Sequence, residues 1–258
     1  MSEEKGKLTW LAELFWKQIG RTSADKDPTS WKVMGKGLFI PEYPKYLLTI
    51  ELMEGLKQNE GTIVELYAGR GYFTKFVYSH LEPKRIIAVE KDKETLRRYR
   101  ARVSKLFRKK ETKVEIYNMD NIKWMKEVMP KLDLSDLVLV DFDASGRLNI
   151  ALETFFDVYD RKGELRIRTT DGVAYLFSRF LLSREKLGRK IAKLYYPELC
   201  EEVDWRNKWT LEKHQILVDK YMKIFFKKHD LKLKWYKSGI SHGFGATGSV
   251  YTCAIIER

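Results

Sequence analysis

The sequence predicts an α/β fold: a doubly wound, mostly parallel β-sheet with helices on both faces. Two observations support this prediction. Between residues 62 and 169, short runs rich in Val, Ile and Leu alternate with stretches of helical periodicity. Such β-α repetition implies right-handed crossovers between parallel strands. The last two strand-like runs have no helix between them, which predicts an antiparallel hairpin at the edge of the sheet.

The individual elements can be assigned in order from residue 41. A helix opens at Pro41 and Pro44 and ends near Gly61. The five parallel strands are predicted at 62–67, 85–90, 113–118, 137–141 and 164–169. The helices that connect them are predicted at 74–81, 93–109, 121–128 and 150–159. The two strands of the closing hairpin are predicted at 231–236 and 249–256.

Two segments stand apart from this alternation. Residues 1–34 contain a short helical pattern that Asp25–Pro28 interrupts, so we expect a separate N-terminal helical arm. Residues 35–258 then form the main domain. Within that domain, residues 183–230 are mostly helical and basic, and we expect them to be an insertion or a cover.

Composition restricts the class of protein. The chain has 258 residues, with 49 Lys and Arg against 36 Asp and Glu, and its net charge of +13 favours a polyanionic partner. Its two cysteines exclude a disulfide scaffold, and its four scattered histidines lack metal-ligand spacing. No apolar run reaches the ~18 residues of a membrane span, so we expect a cytoplasmic protein. The abundance of Lys, Arg and Glu is typical of a thermophile.

A glycine loop follows the first predicted strand. Residues 64–74 read VELYAGRGYFT, and the two glycines let a ligand approach the backbone beside a helix N-terminus. Glu90 ends the next strand, where a carboxylate accepts hydrogen bonds from ribose hydroxyls. Thr74 replaces the third glycine of dinucleotide-binding loops, so we predict a nucleoside cofactor other than a nicotinamide. Alternatively, Glu65 and Glu90 are strand-end acids paired with nearby cations.

Polar residues also follow the third and fourth strands, at 118–120 and 141–143. An acid after each strand, together with the terminal hairpin, resembles the class I S-adenosylmethionine-dependent methyltransferases. The resemblance covers about residues 36–256 and implies a Rossmann-like, seven-stranded sheet whose last strand is antiparallel. It implies S-adenosylmethionine as the cofactor, with Glu90 on the ribose, Asp120 by the adenine and residues 37–41 behind the methionine end. The residues that it places around the cofactor are Pro41, Glu65, Ala68, Gly69, Gly71, Glu90, Asp120, Asn121 and Asp141.

Asp141 and Asp143 are the catalytic candidates, because a hydrophobic strand delivers both to the sheet edge where ligands bind. Methyl transfer from a sulfonium is an in-line displacement, so positioning supplies most of the acceleration. A carboxylate that accepts an N–H of a base amino group orients the nitrogen lone pair and helps to remove a proton. Asp143 is the first choice and Asp141 the second, and we expect one of them to cap the following turn.

Two short motifs narrow the resemblance. Residues 141–146 read DFDASG and residues 169–171 read TTD, which are similar to motifs of the tRNA guanine N2-dimethyltransferases. The similarity implies a base amino nitrogen in tRNA as the target. That family's Pro-Phe pair is replaced by Ala144 and Ser145, so the expected stacking aromatic is missing and the target base stays open. Phe142 and Tyr175 are candidate replacements, although core packing also accounts for each.

Basic clusters predict a nucleic-acid partner. A single charge run is usually a solvated helix face, but several clusters on a chain of this net charge favour phosphate binding. The residues predicted to bind nucleic acid are Arg97, Arg98, Arg100, Arg102, Lys105, Arg108, Arg189 and Lys190. We therefore expect methylation of a nucleic-acid base, with tRNA slightly favoured. The alternatives are a DNA methyltransferase of the adenine N6 type, a protein or small-molecule methyltransferase, and a non-catalytic nucleic-acid-binding protein of the same fold.

Overall fold

The structure is a computed structural model that describes residues 43–108, 110–143, 148–172, 193–199, 210–242 and 248–258. The strands are β1 (Thr62–Leu66), β2 (Arg85–Val89), β3 (Lys113–Tyr117), β4 (Leu137–Phe142), β5 (Glu164–Asp171), β6 (Lys232–His242) and β7 (Gly248–Glu257). The helices are α1 (Tyr43–Leu52), α2 (74–81), α3 (Lys93–Phe107), α4 (Asn121–Glu127), α5 (Leu148–Val158) and α6 (Leu211–Lys228). Short 3-10 turns occupy Met129–Lys131 and Pro197–Leu199.

All seven strands belong to one sheet with the order β3-β2-β1-β4-β5-β7-β6. Strands β1 to β5 are parallel to one another, whereas β7 is antiparallel to both β5 and β6. This arrangement confirms the predicted mostly parallel sheet with an antiparallel C-terminal hairpin. Strands β2 and β3 lie on one side of β1, whereas the next strand in the chain, β4, lies on the other side of β1. The reversal makes the carboxyl edge of β1 and β4 the topological switch point, where ligands bind in open α/β sheets.

Helix starts follow local capping chemistry. The Asp92 side chain accepts a hydrogen bond from Thr95 N at the start of α3, and Asp120 caps α4 in the same way. At α6 the cap is Thr210, whose hydroxyl accepts from Lys213 N. Such caps satisfy N–H groups that have no partner inside the helix. Helix α2 is unusual because it begins with π geometry over Thr74–Tyr78 and becomes α-helical over Ser79–Leu81.

The core lies in two layers, one on each face of the sheet. One layer packs α4, α5 and α6 on the sheet through buried aromatics such as Trp124, Phe155 and Phe225. The other packs α1, α2 and α3 through residues such as Leu52 and Tyr78. No helix in the described ranges is long and apolar enough to cross a membrane.

Several element boundaries differ from the prediction, and those of β6, β5 and α1 bear on the sheet and its edge. Strand β6 extends to His242 because β7 pairs with it as far as Gly248, so part of the predicted connecting loop is strand. Strand β5 continues to Asp171, which pairs with Val250. Helix α1 ends at Leu52, and turns that include Gly55 replace the predicted continuation towards Gly61. In the two strands, backbone pairing with a distant partner overrides weak local propensity.

Candidate active site

The glycine loop between β1 and α2 is tied to the end of β2. Ala68 N donates a hydrogen bond to Val89 O at 3.0 Å. Gly69 and Gly71 adopt the left-handed region, with φ of 57° and 71°, where glycine carries no Cβ penalty. A Cβ on Gly71 would lie 2.8 Å from the ring of Tyr99 in α3, so this glycine also permits close packing of α3 on the loop.

Tyr67 opens this loop in a strained conformation. Its φ is 61°, a region that bulky residues rarely adopt and that clusters at functional sites. Tyr67 N donates to Oδ1 of the buried Asn121 at 3.1 Å, which fixes the turn. Burial, together with the charge of Asp120, raises the pKa of Tyr67 to about 12, so the phenol stays protonated. Asn121, a predicted cofactor residue, therefore shapes the loop from the start of α4.

The Glu90 carboxylate faces the glycine loop, as the cofactor prediction requires. Oε2 accepts from Gly69 N at 3.1 Å, and Oε1 accepts from Asp92 N at 2.9 Å. The turn behind it is held by Asn118, whose side-chain amide donates to Glu90 O and Lys91 O at 3.0 and 2.9 Å. Because each carboxylate oxygen accepts two hydrogen bonds, Glu90 keeps acceptor capacity for a pair of ribose hydroxyls.

Asp120 marks the end of the third strand at the same edge. Its Oδ1 accepts from Ile122 N and Lys123 N at 3.0 and 3.2 Å, so the residue serves as the N-cap of α4. The Asp120 side chain is exposed beside Tyr67. The capping bonds fix where the carboxylate stands without using its second oxygen, so Asp120 is compatible with the predicted adenine contact.

A buried polar cluster lies beneath the loop around Glu65. Its carboxyl group accepts hydrogen bonds from the hydroxyls of Thr74 and Tyr99, the latter at 3.1 Å, and these two hydroxyls lie 2.9 Å apart. Burial and the neighbouring charge of Asp141 raise the pKa of Glu65 to about 8. At neutral pH the protonated form of Glu65 therefore predominates when the site holds no cation.

Asp141 lies inside the sheet, in register with Glu65 on β1 and Arg168 on β5. It is fully buried and forms an ion pair with the equally buried Arg168. Tyr78 donates its hydroxyl to Asp141 Oδ2 at 2.5 Å. The structure thus places the second catalytic candidate behind the edge of the site, where it neutralises an arginine.

Asp143 directly follows the last residue of β4. Its side chain is 30% exposed, and Oδ2 lies 3.7 Å from Arg168 Nη2. Asp143 N donates to Leu66 O at 3.4 Å, which places the residue beside the start of the glycine loop. Asp143 therefore combines access to solvent with a position at the switch point, as expected of the first catalytic candidate.

The sequence-based prediction missed the residues that support these acids, namely Arg168, Tyr78, Tyr99 and Phe73. A signal was present for Arg168, because a charged residue inside an apolar strand of a buried sheet requires a partner. The tyrosines gave no such signal, since aromatic residues at helical spacing are usually core. Some predicted residues lie outside the described part of the chain: Pro41, Ala144, Ser145, Tyr175, Arg189 and Lys190.

Basic residues lie along the exposed side of α3 and directly after it, and Arg102 contacts the glycine loop. Arg97 and Arg98 pair with Glu94, which offsets part of their charge. Arg102 stacks on the exposed ring of Tyr72 at 4.0 Å and donates to Arg70 O. The remaining basic side chains point into solvent, namely Arg100, Lys105 and Arg108.

The lining of this site fits S-adenosylmethionine. The Glu90 carboxylate can accept hydrogen bonds from ribose hydroxyls, and Asp120 lies at the same edge of the sheet. Asp141 and Asp143 bring two carboxylates to face the single guanidinium of Arg168, so the site electrostatically favours a positive sulfonium.

Comparison with known proteins supports this assignment. The family model of ribosomal RNA adenine dimethylases matches residues 47–136, which run from α1 to the residue before β4. No curated protein sequence matches the chain. Among solved structures, the Pyrococcus horikoshii protein PH0793 superposes with a TM-score of 0.50 at 12% identity, over 88% of this chain and 66% of that one. M. jannaschii TYW2 with AdoMet gives 0.49 at 16% identity, over 88% and 79% of the two chains.

The fold, the cofactor-site geometry and the family match together define the class of protein. The chain is a class I S-adenosylmethionine-dependent methyltransferase. The matched segment carries the glycine loop, Glu90 and Asp120, but it ends before Asp141 and Asp143. The match therefore covers the cofactor half of the site and leaves the acceptor half to be argued from its own geometry.

Proposed function

We propose that this methyltransferase modifies an exocyclic amino group of a purine base in RNA. The placement of Asp143 carries the proposal. Its carboxylate is partly exposed at the carboxyl edge of β4, next to the glycine loop, and faces a buried arginine. A carboxylate in this position suits an acceptor that presents N–H groups, because such an acceptor needs its lone pair oriented rather than a proton removed in advance.

The chemistry divides between cofactor and protein. When bound, S-adenosylmethionine supplies the electrophilic methyl group on its sulfonium. Asp143 accepts a hydrogen bond from the amino group, which directs the nitrogen lone pair along the line of displacement. After transfer, the nitrogen carries an extra proton, and Asp143 can accept it and release it to solvent. Glu90 and the loop fix the cofactor so that the reacting atoms meet at short distance.

RNA is favoured by two independent similarities. The family that matches residues 47–136 is described as acting on adenine in ribosomal RNA. The motifs at 141–146 and 169–171 resemble those of tRNA guanine N2-dimethyltransferases. Both point to a purine in RNA, and the basic face of α3 suits a phosphate backbone. The predicted phosphate contacts belong to this proposal: Arg97, Arg98, Arg100, Arg102, Lys105, Arg108, Arg189 and Lys190. The N-terminal arm and the location in the cytoplasm stay predictions.

The test is to identify the methylated nucleoside by mass spectrometry. Purified protein and isotopically labelled cofactor are incubated separately with tRNA, ribosomal RNA and DNA from cells that lack the gene. We expect a labelled methylpurine from one of the RNA fractions. Label in DNA alone or in protein alone, or no cofactor binding by calorimetry, would overturn the proposal in favour of one of the alternative functions.

The role of Asp143 is tested separately, by comparing the turnover of an Asp143 variant with that of a control variant. Asp143→Asn keeps the size of the side chain but removes the charge, and we expect turnover to fall by about 10²–10⁴-fold. Cofactor affinity should stay within about threefold, because Asp143 is not among the groups expected to contact the adenosine part. Asp157→Asn, at an exposed position on α5, is the matched control. Full activity in Asp143→Asn would show that another group holds the acceptor.

A further inference from the structure

Arg168 is held on several sides at the centre of the site. Its guanidinium pairs with Asp141, donates from Nη2 to Thr170 Oγ1 at 3.2 Å, and lies 3.7 Å from Asp143 Oδ2 through the same nitrogen. Its Cζ lies 3.7 Å from the ring centroid of Phe73. Phe73 follows Gly71 by two residues, so Arg168 contacts both the cofactor loop and the strand that carries Asp143.

We propose that Arg168 is a positioning residue for methyl transfer, which holds the Asp143 carboxylate in its ionised form and links it to the cofactor loop. This inference rests on the proposed function, in which Asp143 contacts the acceptor. The side chain of Arg168 itself is fully buried. It acts through Asp143 on one side and through Phe73 on the other.

The chemistry of arginine suits this role. The guanidinium stays protonated at any physiological pH, and its planar fork can face two carboxylates while an aromatic ring covers its flat side. A buried guanidinium is costly unless it is neutralised, and Asp141 supplies that charge. The Arg168 Nε has no hydrogen-bond partner in the described part of the chain. Stability alone does not explain the presence of such an unsatisfied buried donor.

Arg166 provides an internal comparison, because it lies two residues earlier on β5 with its side chain on the same face of the sheet. Its guanidinium donates to Leu52 O and Glu54 O and pairs with Glu164. These contacts fasten the end of α1 to the amino-terminal part of β5. Arg166 is thus an arginine on the same strand and the same face of the sheet as Arg168. Its contacts in the described part of the chain lie away from the catalytic edge.

The first test needs no substrate. Carbon-13 NMR of aspartate-labelled protein gives the titration of the Asp143 carboxyl, assigned by its absence in Asp143→Asn. The double variant Asp141→Asn/Arg168→Gln replaces the buried ion pair by a neutral pair of similar size, which protects folding. We expect the pKa of Asp143 to be about one unit or more higher in this variant than in Asp141→Asn alone, since the two differ only in the facing cation. Asp141→Asn alone and Arg166→Gln should not raise this pKa above that of the parent. An Asp143 titration that is the same in the double variant and in Asp141→Asn alone would overturn the proposal.

The second test measures methyl transfer to RNA against pH. In the double variant, we expect kcat to fall about tenfold or more and its acid limb to move to higher pH, with cofactor affinity within about threefold of the parent. In the Asp143→Asn background, adding Asp141→Asn/Arg168→Gln should then cause almost no further loss, because Arg168 acts through Asp143. Fully additive losses would overturn the positioning role. If the pKa of Asp143 is higher in the double variant than in Asp141→Asn alone while Asp143→Asn stays active, the proposed function is wrong. The effect of Arg168 on the ionisation of Asp143 is then still supported.

Discussion

Among single residues, Glu90 joins the glycine loop to the turn after β2 through its two carboxylate oxygens. Glu90→Ala should weaken binding of S-adenosylmethionine by ~1.5–3 kcal/mol, or roughly 10- to 150-fold, because it removes the acceptors for the ribose hydroxyls and loosens Gly69. Calorimetric titration measures this change. Glu60→Ala, at an exposed site on the opposite edge of the sheet, is the control. Equal affinities in the two variants would rule out the ribose contact.

Glu65 should make stability depend on pH. Its pKa is about 8 in the folded protein against an ordinary value of 4.5, so the folded state holds a proton that the unfolded state releases. Stability therefore falls as pH rises from about 4.5 through about 8. Glu65→Gln removes this penalty while its amide oxygen still accepts from Thr74 and Tyr99. We expect its advantage in Tm over the parent to grow from pH 5 to 8 and then level off, whereas Glu60→Gln shows no such trend.

The acids were predictable at this scale, but their partners were not. Glu65, Glu90 and Asp143 follow hydrophobic strand runs, and the carboxyl ends of parallel strands meet at one edge. Thr74 lies only 9 positions from Glu65, but Tyr99 lies 34 positions from Glu65, and Tyr78 lies 63 positions from Asp141. Those contacts depend on how α2 and α3 pack on the sheet, which local sequence does not encode.

At the scale of elements, the packing of the loop on α3 depends on Gly71. Gly71→Ala places a Cβ 2.8 Å from the Tyr99 ring, in addition to the backbone strain at φ 71°. Gly55→Ala is a matched control, since its φ is 81° but its nearest atom is Arg166 Nη2 at 3.8 Å. We expect Gly71→Ala to cost about 1–3 kcal/mol more than the control, measured by urea denaturation. Equal costs would mean that backbone strain alone explains the glycine.

Element type was easier to predict than element length. The alternation of β and α between residues 62 and 169 is periodic and was confirmed, and the strands β1, β2 and β4 are short apolar runs. The extension of β6 to His242 was missed, since the Ser and Gly residues of 238–241 are typical of a loop. Their strand conformation comes from backbone pairing with β7, which lies beside them only after the chain has reversed.

At the scale of the whole molecule, the topological switch point divides the site into a half proposed to bind the cofactor and a half proposed to bind the methyl acceptor. The family match runs from within α1 to the residue before β4, and so it contains the glycine loop together with Glu90 and Asp120, the acids predicted to contact the nucleoside. The half proposed to bind the methyl acceptor lies at the ends of β4 and β5. Sequence patterns identified Asp143 in this half but not its link to Arg168, since Asp141 and Arg168 meet across a strand pair although they are 27 positions apart in the chain.

The charge of the whole molecule leads to the last prediction, which concerns the salt dependence of RNA binding. Each neutralised phosphate releases counterions, so affinity should fall steeply between about 50 and 200 mM salt, roughly linearly as log K against log salt. Replacing Arg100, Lys105 and Arg108 of α3 by Gln should reduce that slope by about two to three, at ~0.7–0.9 for each phosphate that the protein no longer neutralises. Fluorescence anisotropy with a labelled RNA measures the slope at several salt concentrations.

The control for this prediction keeps the net charge equal and changes only its position. Lys57, Lys84 and Lys131 are exposed near the amino-terminal edge of the sheet, away from the glycine loop. Their triple Gln variant removes the same three charges from a surface that the proposal leaves uninvolved. If RNA lies along α3, only the α3 variant flattens the slope. If both variants flatten it equally, RNA responds to the overall charge of +13, and the assignment of α3 as the phosphate-binding face is wrong.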